Sequence, residues 1–252
     1  VFYLKGYNFL LEALALIKHP SEFKNRLSDL INSVESSSFP VNQNLNALIF
    51  MYKYNNLFNL HVLEGNFRDS IKIVPEVLDG IETNKNFIDH HHIMLLYYKI
   101  ACMYFGSGDD ETAIDYLNEI INQKSPDFRE DIQCFARILC LIAHFNLGND
   151  LLVEYQVKSV YRFLTKMKDL EMVQKEILKF IRKIPRIRKE NLKTEFIELR
   201  DNFLQLREAQ YEKRPFLYLD IVSWLESKIE DQPIQYIIRE KFLEREKIRE
   251  DI

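Results

Sequence analysis

The chain has 252 residues, 47% of them hydrophobic and 29% charged, with a formal net charge of −4, enough apolar matter for a sizeable core. Only 6 Gly and 7 Pro interrupt it, and period-two runs of β-branched residues are almost absent, which argues for long helices and against a sheet. The apolar runs are far too short to span a bilayer, and three cysteines without framework spacing exclude a disulfide scaffold.

In chain order, the first helical patterns are Phe9–Ile17 and Phe23–Val34, separated by His19-Pro20. Ser36, Ser37, Ser38 and Pro40 form a link, and a long helix is expected over Leu45–Leu63, ending at Gly65. Ser70, Ile71, Val74, Val77 and Leu78 continue the three-to-four spacing, but Pro75 lies inside that series and should kink or delay the helix. A third pair runs from Tyr97 through Gly108 to Pro126, and a fourth flanks Gly148, with Phe135, Ile138, Leu141 and Phe145 before it and Val153, Val157 and Val160 after it. Beyond Lys166 the glycines stop, and helices are expected over Met172–Ile184, Leu192–Tyr211, Phe216–Ile229 and Ile234–Ile248, with Pro185, Pro215 and Pro233 at the breaks.

No basic, apolar, small-residue run opens the chain as a signal peptide, and the start at Val1 is expected to reflect loss of a natural N-terminus. Cys102, Cys134 and Cys140 all fall on apolar helical patterns, as reduced buried thiols do, so the expected compartment is the cytoplasm. Charge is unevenly spread: residues 1–165 carry 14 basic and 20 acidic side chains, residues 166–214 carry 14 and 9, and residues 215–252 carry 6 and 9.

The segment Tyr97–Pro126, YYKIACMYFGSGDDETAIDYLNEIINQKSP, sets Ala101 and Ala113 where two antiparallel helices would approach closely, with Tyr104 and Leu117 beside them. It resembles the tetratricopeptide repeat family over one full repeat. Gly65, Gly108 and Gly148 repeat the grammar at separations of 43 and 40 residues, longer than the roughly 34 of a standard repeat. Pro75, and Val153 where the family prefers a small residue, depart from it. The resemblance implies an all-α fold, a right-handed α-solenoid of five or six antiparallel helical hairpins. Residues 1–165 would form the repeats, and residues 166–252 further hairpins with a capping helix continuous with the same solenoid. One hairpin cannot bury its own apolar face, and stacking removes that face from water.

Candidate chemistry is sparse. In Asp89-His90-His91-His92, adjacent histidines on a helix point about 100° apart, so they cannot converge on one metal ion, and Asp89 reads as an N-cap. His61 and His144 sit just before glycine turns and read as packing residues. No nucleophile elbow or phosphate loop occurs, and the pairs Asp109/Asp110 and Glu230/Asp231 sit in turns. No enzyme activity, metal or cofactor is therefore expected. Arg182, Lys183, Arg186, Arg188 and Lys189 make five cations in eight residues, an anion-binding candidate. With no aromatic side chain among them to stack bases, nucleic acid is disfavoured as a partner.

If the family's geometry holds, a concave groove is lined by Tyr52, Asn55 and Asn59, then Leu95, Tyr98, Cys102 and Phe105, then Phe135, Ile138 and Ile142. Asn55 and Asn59 are one turn apart and could bracket a peptide backbone. The cations with which some family members clamp a carboxylate are replaced here by Tyr98, Cys102, Ile138 and Ile142, so that role is not carried over. The expected function is a non-enzymatic scaffold holding another polypeptide. The alternatives are an anion- or nucleic-acid-responsive protein using residues 182–189, or self-association through the groove or the last helix.

Overall fold

The computed structural model describes residues 1–36, 42–123, 130–165, 172–183, 187, 189–208 and 220–250. The described residues form thirteen α-helices and no strand. They are α1 (Phe2–Leu16), α2 (Pro20–Ser36), α3 (Gln43–Glu64), α4 (Phe67–Lys72), α5 (Val74–Asn84), α6 (His90–Ser107) and α7 (Asp110–Ile121). There follow α8 (Glu130–Asn146), α9 (Asp150–Leu164), α10 (Met172–Lys183), α11 (Lys189–Glu208), α12 (Ile221–Glu230) and α13 (Ile234–Glu250). No helix among the described residues is long and apolar enough to cross a membrane.

The chain divides into two compact units, Val1–Ser107 with Ile238–Ile252, and Gly108–Ile237. That division falls at the Gly108 turn.

In the first unit, α1, α2 and α3 pack against one another, α3 also meets α4, α5 and α6, and α4 meets α6. Helix α1 begins seven residues before the expected Phe9, because its buried series Leu4, Asn8, Leu11 and Leu14 already keeps helical spacing. Leu4, Leu11 and Leu14 close a core with Phe23, Leu27 and Leu30 of α2 and Leu60 of α3. Asn42 caps α3, its side chain accepting from the Asn44 amide at 2.9 Å. Gly65 ends α3 at φ 67°, letting the amides of Gly65 and Asn66 reach the carbonyls of Val62 (3.2 Å) and His61 (2.8 Å). Pro75 interrupts as the sequence predicts: α4 stops at Lys72, and a new helix starts with the proline in its first turn. Asp89 does cap α6, accepting from the His92 amide at 3.0 Å while its second oxygen holds the His92 ring at 2.7 Å.

In the second unit each helix packs on its sequence neighbour from α7 to α12, and α8 also meets α10. Asp109 caps α7 by accepting from the Thr112 amide at 3.0 Å. Gly148 (φ 73°) repeats the Gly65 turn, with the Asn149 amide on the His144 carbonyl at 3.0 Å. His61 and His144 therefore occupy the same position of two helix ends. Burial lowers the pKa of both imidazoles. Phe145, Phe196 and Trp224 meet edge to face with ring centres 5.7 to 6.2 Å apart. Beside them Asn146 donates to Asp110 Oδ1 at 3.1 Å and accepts from Trp224 Nε1 at 3.3 Å, tying α7, α8 and α12 together.

Candidate functional site

Five of the expected groove residues are core. Tyr98 is 2% exposed, Phe105 6% and Phe135 3%, and Ile138 and Ile142 are wholly buried. For α8 the reason is visible along the helix. Eleven of its 17 residues are buried, because α7, α9 and α10 cover it from several sides. A helix apolar nearly all round has no spare face. On α6, Tyr98 and Phe105 share this fate, while Leu95 stays partly exposed. Cys134 and Cys140 are buried and Cys102 is half-buried, and none of the three is in a disulfide.

The polar end of the expected groove differs, because Tyr52, Asn55 and Asn59 are all partly exposed. Asn59 and the Tyr52 carbonyl belong to a line of hydrogen bonds running across α1, α3 and α6, and Asn55 lies one turn from Asn59. Glu12 Oε1 accepts from Asn8 Nδ2 at 2.7 Å, and Asn8 Oδ1 accepts from Asn56 Nδ2 at 2.8 Å. Asn56 Nδ2 also donates to the Tyr52 carbonyl at 2.8 Å, so both its hydrogens are used. Asn59 Nδ2 approaches Asn56 Oδ1 at 3.5 Å, a weak link, and Asn59 Oδ1 accepts from Lys99 Nζ. Asn56 is fully buried and Asn8 nearly so, which explains their pairing: a buried amide left unpaired would cost about 1–3 kcal/mol.

Two groups beside this line stand out. Asn55 Oδ1 is buried and accepts no hydrogen bond among the described residues. Lys99, half-buried on α6, gives its one hydrogen bond to Asn59. Burial pushes the Lys99 pKa down to about 8, against the opposing pull of Cys102 and Glu12. Burial holds the neighbouring Cys102 thiol at about 12, so it stays protonated. The arrangement offers an amide acceptor, an amide pair and a tethered amine side by side.

Sequence reasoning named Tyr52, Asn55 and Asn59 and did not name Asn8, Glu12, Asn56 or Lys99. Asn8 and Asn56 are 48 positions apart, and their only signal was a polar residue falling on an otherwise apolar helical stripe. Of the basic candidates, Arg182 and Lys183 are exposed at the end of α10. Arg186 and Arg188 lie outside the described residues, as does the side chain of Lys189, whose backbone opens α11. No group of His, Cys, Asp and Glu side chains among the described residues could hold a metal ion.

No protein-family profile matches the chain, no curated protein matches it, and no solved structure matches it.

Proposed function

We propose that this chain is a non-enzymatic scaffold that holds an extended segment of another polypeptide across α3 and α6, with Asn55, Asn59 and Lys99 as its polar contacts. The observation that carries the reading is the orphaned, buried Asn55 Oδ1, one helical turn from Asn59 and its tethered lysine. On binding, the Asn55 side chain turns so that its Oδ1 accepts a backbone N–H of the bound segment, and a carbonyl or carboxylate oxygen meets the Lys99 amine. Main-chain contacts of this kind give affinity, and the side chains of Tyr52 and Leu95 alongside give shape. The architectural half of the proposal is a right-handed solenoid of tetratricopeptide-like hairpins. It is supported within the first unit by the way α3 meets both members of the α1/α2 pair, and α6 meets both α3 and α4. Three thiols outside any disulfide favour a cytoplasmic setting.

Selection from a displayed library of random peptides supplies the test. Wild-type protein is expected to enrich extended sequences that carry an acidic residue. Asn55→Ala and Asn59→Ala should each weaken a selected peptide about tenfold, the equivalent of one hydrogen bond of about 1.4 kcal/mol. Failure to enrich any peptide, or unchanged affinity in both variants with native circular dichroism, overturns the reading.

A second reading rests on Arg182 and Lys183, exposed on α10 and without an ion pair among the described residues. It requires binding to a polyanion such as heparin that weakens steeply with salt and is lost in Arg182→Ala/Lys183→Ala.

A further inference from the structure

Helix α1 buries one face and leaves an apolar one in water. Leu4, Asn8, Leu11 and Leu14 face α2 and α3. The opposite side carries Phe2, Tyr3, Phe9, Leu10, Leu16 and, just past the last turn, Ile17, all exposed, Phe2 by 92% and Phe9 by 66%. Successive residues turn by about 100°, so Phe2, Phe9 and Leu16 form one row and Tyr3, Leu10 and Ile17 the next. A surface helix ordinarily carries polar residues there. Together the six side chains expose on the order of 600 Å², the upper end of what a monomer leaves uncovered.

We propose that this face of α1 pairs with the same face of a second copy of the chain, the two helices antiparallel about a twofold axis. Positions 2, 6, 9, 13 and 16 advance in alternating steps of four and three, the spacing of a coiled-coil seam. Large and small residues alternate along it: Phe2, Gly6, Phe9, Ala13, Leu16. In the antiparallel register that sets Phe9 over Gly6 of the second copy, Phe2 falls on Ala13 and Tyr3 beside Leu10. That same register brings Lys5 beside Glu12 of the second copy, on one flank of the seam, and the twofold axis repeats every one of these pairings. Lys5 is exposed and makes no ion pair among the described residues, while exposed Glu12 spends one oxygen on Asn8. Size and charge are therefore complementary to themselves in one register, which is what an isologous contact requires. A parallel pairing would stack phenylalanine on phenylalanine and glycine on glycine, leaving gaps beside bulges.

Gly6 has no purpose within its own chain. A Cβ added there would meet nothing within 4 Å, and glycine weakens a helix interior. Under the Phe9 ring of a second copy its bareness lets the two helices approach. Two copies would bury about 1,200 Å², the lower edge of specific interfaces, so the dimer is expected to dissociate with a Kd on the order of 10 µM. Asn55, Asn59 and Lys99, the contacts assigned to a peptide, lie on α3 and α6, so either reading can fail without the other.

Sedimentation of the whole chain from about 1 to 200 µM tests the pairing and should show a single monomer–dimer equilibrium. Gly6→Leu adds apolar surface and a better helix former in open space, so the variant folds. It also holds the helices apart, and Kd should rise at least about tenfold. Lys5→Glu should weaken the dimer about fivefold at low salt, and Lys5→Glu/Glu12→Lys should restore it, each with native circular dichroism. A chain that stays monomeric throughout overturns the proposal. So does association that Gly6→Leu leaves unchanged or strengthens, which would mark indiscriminate apolar sticking. Monomers that bind phosphatidylcholine vesicles and lose that binding in Phe2→Ser/Phe9→Ser would assign the face to a lipid surface and overturn it as well.

Discussion

Gly106→Ala is expected to destabilise the fold by about 2 kcal/mol in urea unfolding, although alanine is the better helix former by about 1 kcal/mol. Gly106 is buried in α6, and the Phe67 ring of α4 lies directly over it, so an added Cβ would fall among the ring carbons Cγ, Cδ1 and Cε1. Phe67 is 3% exposed, which leaves the ring nowhere to retreat. Over-packing of this kind forces a side chain off its rotamer or moves backbone, at about 1–3 kcal/mol. Removing the ring instead, by Phe67→Ala, should cost more, about 3–5 kcal/mol, through the cavity left under α4. In the double variant Gly106→Ala/Phe67→Ala the new methyl group enters that cavity, so the combined loss should fall short of the sum of the two. Strict additivity, or a Gly106→Ala protein more stable than wild type, would show that the two helices do not meet through this pair. Gly80 offers a contrast. There too an added Cβ would meet a ring, that of Phe50, but Phe50 is partly exposed and can turn outward, so Gly80→Ala should be close to neutral.

That contrast marks the limit of what the sequence disclosed. Helix ends were legible because their causes are local. A glycine at Gly65 or Gly148, a proline at Pro75 or an aspartate at Asp89 acts within one turn of itself, and each acts in the structure as its chemistry requires. The all-helical class was legible for the same reason. What a helix face meets is not local. Phe135, Ile138 and Ile142 keep the spacing of a single stripe, yet their neighbours around α8 are also covered, and no pattern within 17 residues reveals how many partners a helix has. The Asn8–Asn56 pair and the Asn146 bridge to Asp110 and Trp224 join residues 36 to 78 positions apart, and each asparagine alone looks like an ordinary surface amide. Lys99 was passed over because a lysine on an apolar helix usually extends its stem to solvent. Here Asn59 intercepts it.

The same blindness applies to Asp110, which reads in sequence as the second of two helix-capping acids and which the structure makes a source of pH dependence. Asp109 does the capping, while Asp110 turns inward, 9% exposed, under Asn146. Burial raises its pKa to about 6; the Asn146 hydrogen bond and Lys228 pull the other way, and Asp109 adds to the rise. Lys228 is itself desolvated, its own pKa lowered by burial, so it is a weak counter-charge. A carboxyl whose folded pKa lies above its ordinary 3.8 binds its proton more tightly in the folded state. This group's contribution is therefore most favourable below about pH 4 and declines as pH rises to 6, by up to about 3 kcal/mol for a shift of this size. Asp110→Asn keeps the acceptor for Asn146 and removes the charge. The variant is expected to be more stable than wild type at pH 7.5 by about 1–2 kcal/mol, less than the full linkage because an amide does not reproduce every contact of the protonated carboxyl. Urea unfolding at pH 4, 5, 6 and 7.5 should show the difference opening between pH 4 and 6 and staying constant above 7. If the difference is flat across that range, or if Asp110→Asn is the weaker protein at pH 7.5, then Asp110 is stabilised as a carboxylate by Lys228 and the helix start together. In that case the pin between α7 and α8 is an ionic one.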